Sequence, residues 1–472
     1  MPIQSIADSR APLWLAGMLA VAATALAADR VLMSDLGGYS HMALAHSVLY
    51  LVTAGLLLSS RARAPSLFAI LAIALVMRGI AMGVPHNVLT TDALRYVWDG
   101  RIQWAGFNPY LYAPADERLA FLRDLVIFPN INQKETAVTI YPPFAEMIFM
   151  LAVKIADGIE GMKLTMLAFE GLLVWSLVGC LDRLGISRDR VLIYAWHPLP
   201  VWEFASQAHI DAATAALITA ALYARLVQRY WLTGMLLGLA AATKYYPALL
   251  LAVLLPRPPW LDRLLRRIPG VRSLIPDEAA GARDECRTRQ SLPDWLQLSL
   301  GFVATLIAVY LPYAWTAGPR VIGFLNRHLD NEGYLAGYGF HLVWILRDFG
   351  LADPPARAYI AAAAVTLGAL LAWAFLSRRA RDVPIPSLVV IACAFVWLTS
   401  PHYAWYFAWI IPFAALAPSP AALLFTALAF VMYLPTIAPA HGQSIAYALV
   451  FGVPLVVASV ERWRARTRLP ET

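Results

Sequence analysis

Long apolar runs, separated by short loops that carry arginine, recur along the whole chain. A run of about 20 apolar residues can cross the ~30 Å hydrocarbon core of a bilayer as a helix. Hydrophobic residues make up 60% of the 472 residues and charged residues only 14%, which excludes an ordinary soluble domain. The pattern predicts an all-α integral membrane protein, a polytopic helical bundle of about fourteen spans. The candidate spans are 12–28, 42–60, 66–84, 163–181, 190–206, 210–228, 231–242, 245–256, 297–316, 357–376, 386–399, 403–417, 420–434 and 444–460.

The arginine-bearing loops predict the topology, because positive loops stay in the cytoplasm. These loops hold Arg61 and Arg63, then Arg183, Arg188 and Arg190, then Arg225 and Arg229, the Arg-rich stretch 257–290, then Arg378, Arg379 and Arg381, and finally Arg462, Arg464 and Arg466. Both termini are then cytoplasmic. The same placement accounts for the net charge of +7, so no nucleic-acid partner is expected.

Two apolar segments cannot be full spans without placing an arginine loop on the wrong side. Residues 141–157 (YPPFAEMIFMLAVKIAD) carry Glu146, Lys154 and Asp157 at a spacing that places all three on one helical face. We therefore predict an amphipathic helix lying on the outer interface. Residues 231–256 must return to the side they left, which predicts two half-helices that meet on the outer side at AATKYYP.

Two further features concern processing and cross-linking. The first apolar run, after Arg10 and with Ala-Leu-Ala-Ala before Asp29, resembles a secretory signal, but its length favours an uncleaved helix. Cys180, Cys286 and Cys393 lack metal-ligand spacing. Neither a cysteine metal site nor a structural disulfide is expected.

A polar, aromatic-rich segment runs from Thr90 to Pro143 and must lie outside the hydrocarbon, since lipid does not tolerate irregular charged backbone. The topology brings other polar residues to the same outer face, namely His209 and Asp211, Lys244 at the half-helix junction, NRHLDNEGYLAGYGFH within 317–356, and SPHYAWYFAW at 400–409. An interfacial belt of Trp and Tyr is the alternative. It explains the aromatics, but not an acid, a base and an amide recurring in several short outer loops.

These segments resemble a known family. The stretches that carry the likeness are Asp92-Ala-Leu-Arg95-Tyr96-Val-Trp98-Asp99-Gly100-Arg101, Gly106-Phe-Asn108-Pro109-Tyr110, Tyr141-Pro142-Pro143, Trp196-His197-Pro198 through His209-Ile-Asp211, and Gly234-Met-Leu-Leu-Gly238 through Thr243-Lys244-Tyr245-Tyr246-Pro247. Their order and spacing over residues 66–410 resemble the polyprenyl-phosphate-sugar-dependent glycosyltransferases of the GT-C superfamily, in particular bacterial mannosyltransferases. The chain departs from the family pattern at His197, where Asn is usual, and at Gln207-Ala208, which replaces a glycine before the histidine.

The resemblance implies a catalytic Asp in the first large outer loop, an interfacial helix near a Pro-Pro pair, and a basic residue that meets the lipid phosphate. It implies a bacterial inner-membrane enzyme whose active site is periplasmic. Residues 1–65 are then an extra N-terminal helix pair, 66–356 the catalytic module with outer loops 85–162 and 317–356, and 357–472 the C-terminal membrane helices. The partners would be a polyprenyl-phosphate sugar donor, a glycolipid or glycan acceptor, and membrane lipid.

Transfer of a sugar with inversion needs one carboxylate to accept the proton of the attacking hydroxyl. We assign that role to Asp92, with a simple helix N-cap as its alternative. Asp99 is expected to be structural or a second acidic contact, paired with Arg101. The leaving phosphate needs fixed cations. Lys244 is the leading candidate, because a lysine at membrane depth is costly without an anion; snorkelling to water is its alternative.

Further residues complete the expected site. Arg95, Arg101 and Arg327 are secondary phosphate contacts, and the residues expected to hold acceptor or sugar are Asp99, Asn108, Tyr110, Tyr141, His209, Asp211, His402 and Tyr403. His209 and Asp211 have two alternatives, a helix cap or a divalent cation, although two ligands do not make a metal site. No other cofactor is expected.

Two other functions stay open at this point. A transporter or lipid-sugar flippase would also show broken helices, and Glu170, halfway along an apolar span, favours it. A non-catalytic assembly subunit would not need a base, a cation and an interfacial helix on one face. The sequence favours an inverting glycosyltransferase that uses a polyprenyl-phosphate monosaccharide, most simply mannose, on a lipid-linked or envelope glycan.

Overall fold

The computed structural model describes residues 9–84, 90–276, 292–379, 382–434 and 441–467. These residues form helices joined by loops, and none of them lies in a strand. The α-helices among them are, in chain order, α1 (Ala11–Leu32), α2 (Leu36–Leu58), α3 (Leu67–Met82), α4 (Asp92–Trp104), α5 (Pro143–Ile155), α6 (Ile159–Arg183), α7 (Leu192–Ala195), α8 (Asp211–Leu226), α9 (Tyr230–Ala241), α10 (Leu251–Leu254), α11 (Pro259–Leu265), α12 (Asp294–Ala317), α13 (Leu325–Asn331), α14 (His341–Asp348), α15 (Ala356–Leu376), α16 (Ile385–Thr399), α17 (Ile411–Leu416), α18 (Pro420–Ala427), α19 (Gly442–Tyr447) and α20 (Val453–Thr467).

Shorter helical turns connect these elements. The 3₁₀ turns in the same residues are Glu117–Leu122, Phe128–Asn130, Arg188–Val191, Tyr246–Leu250, Arg272–Leu274, Gly318–Ile322, Ala404–Ile410 and Leu428–Tyr433, and the π-helical turns are Pro200–Ser206 and Ala448–Gly452. Of the features singled out in the sequence, the start of the outer loop at 85–89, the part 277–290 of the basic stretch with Cys286, and Arg381 lie outside the described residues. Cys180 and Cys393 are free thiols.

Six helical segments of the described chain are long and apolar enough to cross a membrane, judged by length and composition. They are α1, α2, α6, α15, the segment that begins with α12, and Gly442–Arg464. Five further apolar helices have only 10–17 residues. A helix of 12 residues such as α9 is about 18 Å long, less than the ~30 Å hydrocarbon core. The structure therefore confirms an all-helical architecture with membrane-length helices, while the expected fourteen spans are not confirmed.

The first two helices form a hairpin that packs on the rest of the bundle. Asp35 caps α2 by accepting a hydrogen bond from the backbone N–H of Gly38 at 2.9 Å. Further along α2, the Tyr50 hydroxyl donates to the carbonyl of Ile193 at 3.0 Å. This bond lies in the buried interior, so the hairpin shares one continuous core with the later helices.

Two helix breaks lie beside the polar residues of interest. Before α8 the chain makes the π-helical turn Pro200–Ser206, and Ala208 then adopts a left-handed φ of 59°. After α9 the chain leaves the helix at residues 242–245 and resumes in the 3₁₀ turn Tyr246–Leu250. The second break lies where the sequence predicts that two half-helices meet, while the return of this segment to the side it left stays a prediction.

Helix α5 lies inside the predicted amphipathic segment 141–157, but one of its charged residues faces the interior. The Glu146 carboxylate is fully buried and accepts a hydrogen bond from the Thr139 hydroxyl at 2.6 Å. The Gln103 amide of α4 donates to the same side chain at 3.0 Å. Lys154 and Asp157 are exposed. The prediction that Glu146 shares a face with these two is wrong, because α5 packs that side against α4.

Glycines allow α9 and α12 to pack closely. A Cβ added at Gly234 would lie 2.1 Å from the carbonyl oxygen of Leu298, and one added at Gly301 would lie 2.6 Å from that of Trp231. Small residues permit such close helix contacts in membrane proteins. The packing holds the half-helix α9 and thereby fixes the position of the break that follows it.

Candidate active site

Asp92 begins α4, and its carboxylate does not cap that helix. Thr91 occupies the N-cap position, and no side-chain hydrogen bond caps the helix. The alternative of a simple N-cap is therefore wrong. The Asp92 side chain is 37% exposed, so part of it faces open space. Burial of the remainder raises the pKa of Asp92 above its ordinary 3.8, and the nearby His209 and Lys244 offset part of that rise.

The imidazole of His209 lies between two carboxylates. Its Nδ1 is 3.8 Å from Oδ2 of Asp92, and its Nε2 is 3.4 Å from Oε2 of Glu203. The ring is fully buried and stacks on Trp405, with centroids 3.9 Å apart and planes inclined by 21°. The stacking fixes the plane of the ring, and one carboxylate lies near each nitrogen, although neither nitrogen makes a hydrogen bond in this geometry.

The largely covered Lys244 and the buried Asp211 form an ion pair beside Asp92. The Nζ atom of Lys244 is 3.1 Å from Oδ2 of Asp211 and 4.6 Å from the centroid of the Tyr406 ring. Asp211 is the first residue of α8, at the positive end of the helix dipole. No side-chain hydrogen bond caps α8, so neither Asp211 nor His209 is a helix cap. The ammonium turns into the protein, and the alternative of snorkelling to water is wrong.

The second outer loop and the 400–409 segment meet at Glu332. Nδ1 of His402 lies 2.9 Å from Oε2 of Glu332, and the Tyr403 hydroxyl donates to Oε1 at 3.5 Å. The hydrogen bond with His402 lowers the pKa of Glu332 below its ordinary 4.5. The Tyr403 ring also stacks on Trp405 at 4.5 Å. Because Trp405 is the residue on which His209 stacks, these aromatic rings connect the two parts of the site.

Helix α13 adds two bases of different exposure. Arg327 is exposed, and its guanidinium carbon lies 5.9 Å from the centroid of the Phe324 ring. Burial lowers the pKa of His328, and Glu332 and Lys244 are close enough to influence it as well. His328 therefore lies beside the cluster, whereas the expected phosphate contact of Arg327 stays a prediction.

The two arginines of α4 are held by other partners. Arg95 Nε donates to both carboxylate oxygens of Asp99, at 2.8 and 2.9 Å. Arg101 forms ion pairs with Asp124 and Asp157. The prediction that Asp99 pairs with Arg101 is wrong, because residues four apart on a helix face each other and the partner is Arg95.

Three residues expected to contact sugar or acceptor take part in the packing of the first outer loop. The Asn108 amide donates to the Thr316 hydroxyl at 2.7 Å, and the buried Tyr110 hydroxyl donates to the Tyr141 carbonyl at 2.6 Å. The Tyr141 hydroxyl is 3.3 Å from that of Tyr96. Of these, Tyr141 is the one near the cluster, with its ring centroid 6.0 Å from the Lys244 ammonium.

Sequence reasoning missed Glu203, Glu332 and Tyr406. Glu203 lies within the apolar run 190–206, where a lone acid was counted as part of a span. An ionisable residue inside such a run is itself a signal of function, because burying it is costly. Glu332 stood in the segment NRHLDNEGYLAGYGFH, but no spacing rule distinguished it from its neighbours.

A comparison with protein families identifies the chain. Residues 12–257 match the MptA_B family, described as alpha-(1->6)-mannopyranosyltransferase, N-terminal domain. The chain belongs to this family. The match covers just over half of the chain and includes Asp92, Glu203, His209, Asp211 and Lys244. No curated protein matches the chain. The predicted GT-C mannosyltransferase resemblance is thus confirmed, and with it a glycosyltransferase activity.

Glu170, the residue that favours a transporter in the sequence, forms an internal ion pair in the structure. Oε1 of Glu170 lies 2.7 Å from Nη2 of Arg78, and the Tyr194 hydroxyl donates to it at 2.9 Å. Arg78 also donates to the carbonyl of Ala195 at 2.8 Å. The pair joins α3 to α6 with its polar atoms bonded, so it does not support the transporter alternative.

The described residues supply proton-transfer groups and the Lys244 ammonium around Asp92. Among them, no group of three or more His, Cys, Asp and Glu side chains is placed to hold a metal ion. His209 and Asp211 have separate partners, since the first lies between Asp92 and Glu203 and the second pairs with Lys244. The arrangement can take up a proton and bind an anion.

Proposed function

We propose that the protein transfers a mannosyl group, with inversion, from a polyprenyl-phosphate donor to a lipid-linked or cell-envelope glycan acceptor. The observation that carries this proposal is the partly exposed carboxylate of Asp92 beside the Lys244–Asp211 ion pair, within a domain of the mannosyltransferase family. A base and a fixed cation side by side are what glycosyl transfer from a phosphate requires.

The reaction follows from these groups. The acceptor hydroxyl attacks the anomeric carbon while its proton passes to Asp92, and the bond from that carbon to the phosphate oxygen breaks. The ammonium of Lys244 meets the negative charge that develops on the leaving phosphate. The family name specifies an α-(1→6) product. Inversion to an α-linked product requires a donor in which mannose is β-linked to the phosphate.

The proposed setting is a bacterial inner membrane with both termini in the cytoplasm and the site on the periplasmic side. The arginine-bearing loops support this orientation. The proposed boundaries are those of the sequence, with 1–65 as an N-terminal pair, 66–356 as the catalytic module and 357–472 as C-terminal membrane helices. The family match begins at residue 12 and so includes α1 and α2.

The remaining site residues divide by position. His402, Tyr403 and Tyr141 are proposed to border the acceptor or sugar, because they adjoin the cluster around Asp92. Arg327 is proposed as an outer contact of the donor phosphate, since its guanidinium is exposed. The described contacts favour structural roles for Asp99, Asn108 and Tyr110.

The test uses the purified full-length chain with radiolabelled polyprenyl-phosphate mannose and an alkyl mannoside acceptor. The wild type should form a lipid-dependent α-mannoside, and a nucleotide-sugar donor should give none. Asp92→Asn should lower kcat by about 10²–10⁴-fold, the usual contribution of a general base. Since burial raises the pKa of Asp92, its ionised form costs stability above that pKa, so the variant should unfold at no lower temperature.

A matched control is Glu146→Gln, which changes another buried carboxylate that has no contact with the cluster. It should keep turnover within a few-fold of the wild type. Full activity of Asp92→Asn would remove Asp92 from the role of base, and product formation from the nucleotide sugar would overturn the donor assignment.

A further inference from the structure

We propose that Glu203 is a positioning residue that holds His209 with its Nδ1 towards Asp92, and that His209 receives the proton which Asp92 takes from the acceptor. This inference rests on the proposed function and deepens it. It assigns a proton path from the open side of the site to a carboxylate inside the bundle.

The geometry that supports the path is a row of neighbouring polar groups, in which the buried His209 nitrogens have no hydrogen-bond partner of their own. From Asp92, the row passes through the His209 ring at 3.8 and 3.4 Å to Glu203. The other oxygen of Glu203 accepts a hydrogen bond from the Tyr433 hydroxyl at 3.1 Å. Asp92 is the exposed end of the row, whereas the His209 and Glu203 side chains are buried.

Glu203 needs an explanation, because a buried carboxylate is costly without a cation. Within the described chain its polar neighbours include His209, Tyr433 and Tyr39, and no lysine or arginine forms an ion pair with it. A carboxylate beside an imidazole selects the tautomer with the proton on Nε2 and stabilises the imidazolium. The Nδ1 lone pair of His209 then faces Asp92.

The local backbone supports the same reading. Glu203 lies in the π-helical turn Pro200–Ser206, and the N–H of His209 donates to the Glu203 carbonyl at 3.0 Å. Between them, Ala208 is held in a left-handed conformation. Single π-turns and strained non-glycine residues recur at functional sites. Here they bring the two side chains, which are close in sequence, into contact.

The acceptor O–H bond breaks as its oxygen bonds to the anomeric carbon, and the proton goes to the Asp92 carboxylate. The donor phosphate leaves with the electron pair of the broken carbon–oxygen bond. The proton then moves from Asp92 to Nδ1 of His209, which becomes an imidazolium between two carboxylates. Asp92 is ionised again before the products leave, and His209 later returns its proton to solvent through Asp92.

The test compares pH profiles of Glu203→Gln and the wild type. In the proposed path Glu203 is ionised when His209 takes up the proton, so Glu203→Gln removes a negative charge from beside the Asp92–His209 pair and lowers the proton affinity of that pair. We therefore expect the acidic limb of kcat/KM to move to lower pH. We also expect kcat to fall by about 10²-fold, the lower end of what acid–base groups contribute, with KM for the donor within about twofold. Asp211, Lys244 and Glu332 also face this region and stay unchanged in the comparison.

A double-variant experiment separates positioning from a merely structural role. His209→Phe keeps a ring to stack on Trp405 but removes both nitrogens. If Glu203 acts through His209, the double variant His209→Phe/Glu203→Gln should be no slower than His209→Phe alone. Tyr433→Phe should reproduce a weaker form of the Glu203→Gln effect.

The outcomes distinguish this proposal from the proposed function. An inactive Asp92→Asn together with a Glu203→Gln of wild-type rate and pH profile would overturn the proton path alone. A fully active Asp92→Asn would overturn the base assignment itself. A slow Glu203→Gln with an unshifted acidic limb and losses additive with His209→Phe would reduce Glu203 to a packing residue. Glu146→Gln, a buried carboxylate outside the row, should leave the limb in place.

Discussion

At the scale of single residues, Lys244 shows what the free-energy cost of a charge at membrane depth can predict. The expense of a lysine at membrane depth predicts an anion beside it. The structure supplies that anion as Asp211, at 3.1 Å. Both residues stood among the sequence predictions, but with separate roles, because no local spacing rule pairs residues from two different helices. The same limit applies to Glu203, whose partner Tyr433 comes from the far end of the chain.

Ala208 offers a stability prediction at the same scale. A non-glycine residue in the left-handed region, such as Ala208, loses about 1–2 kcal/mol of stability through backbone strain. A glycine relieves that strain, but the greater entropy of its unfolded chain cancels about 0.5–1 kcal/mol of the gain. Ala208→Gly should therefore raise the free energy of unfolding by about 0.5–1 kcal/mol, measured by thermal unfolding in detergent. The control Ala205→Gly, in the neighbouring π-turn, should lower it by about 1 kcal/mol. A lower melting temperature for Ala208→Gly would contradict the strain argument.

At the scale of helices, the apolar runs predict where each helix lies along the chain better than they predict what packs against each of its faces. The run 12–28 became α1 (Ala11–Leu32), and the half-helices around residues 242–245 follow from parity alone. The face of α5 could not be predicted in the same way. The spacing of Glu146 suits an amphipathic helix and predicts that it faces solvent. In the structure, Thr139 and Gln103 donate hydrogen bonds to its carboxylate in the interior. Helical spacing shows which residues share a face, but the partner that covers the face comes from elsewhere in the chain.

The contact of α9 with α12 gives a prediction about elements. Gly234→Ala would place a methyl group 2.1 Å from the carbonyl oxygen of Leu298, so the helices must separate. Overpacking of this kind costs about 1–3 kcal/mol. The melting temperature in detergent should fall, and mannosyl transfer should fall with it, since α9 leads into the Lys244 break. The matched control is Gly171→Ala on α6, where an added Cβ would have no atom within 4 Å. This variant should not destabilise the protein. Equal melting temperatures would show that α9 and α12 are not packed as described.

At the scale of the whole molecule, the alternation of apolar runs with arginine loops predicts which side of the membrane each loop faces. The geometry of the helices alone does not give that information. The break between α9 and the turn Tyr246–Leu250 is central to that prediction, because each half-helix is shorter than the ~30 Å core and brings the break to the outer side only with tilt or local thinning of the bilayer. If the break lies on the outer side, Lys244 and Asp92 share one aqueous face with the loop 317–356. A wrong parity would separate the proposed base from the loops that border it.

Cysteine labelling tests this sidedness. Cys180, Cys286 and Cys393 would first be replaced by serine. Thr243 is buried, so the probe at the break is the exposed Tyr245→Cys, with Thr136→Cys as outer reference and Trp260→Cys as inner reference.

In intact spheroplasts, an impermeant maleimide should label the cysteines at 245 and 136, because both positions would face the periplasm. The cysteine at 260, beyond the returning half-helix and next to the basic stretch, should react only after the membrane is permeabilised. Labelling of 245 and 260 from the same side would mean that the segment between them does not cross the bilayer. Labelling of 260 alone from outside would invert the topology and move Lys244 to the cytoplasmic face, where a periplasmic acceptor could not reach it.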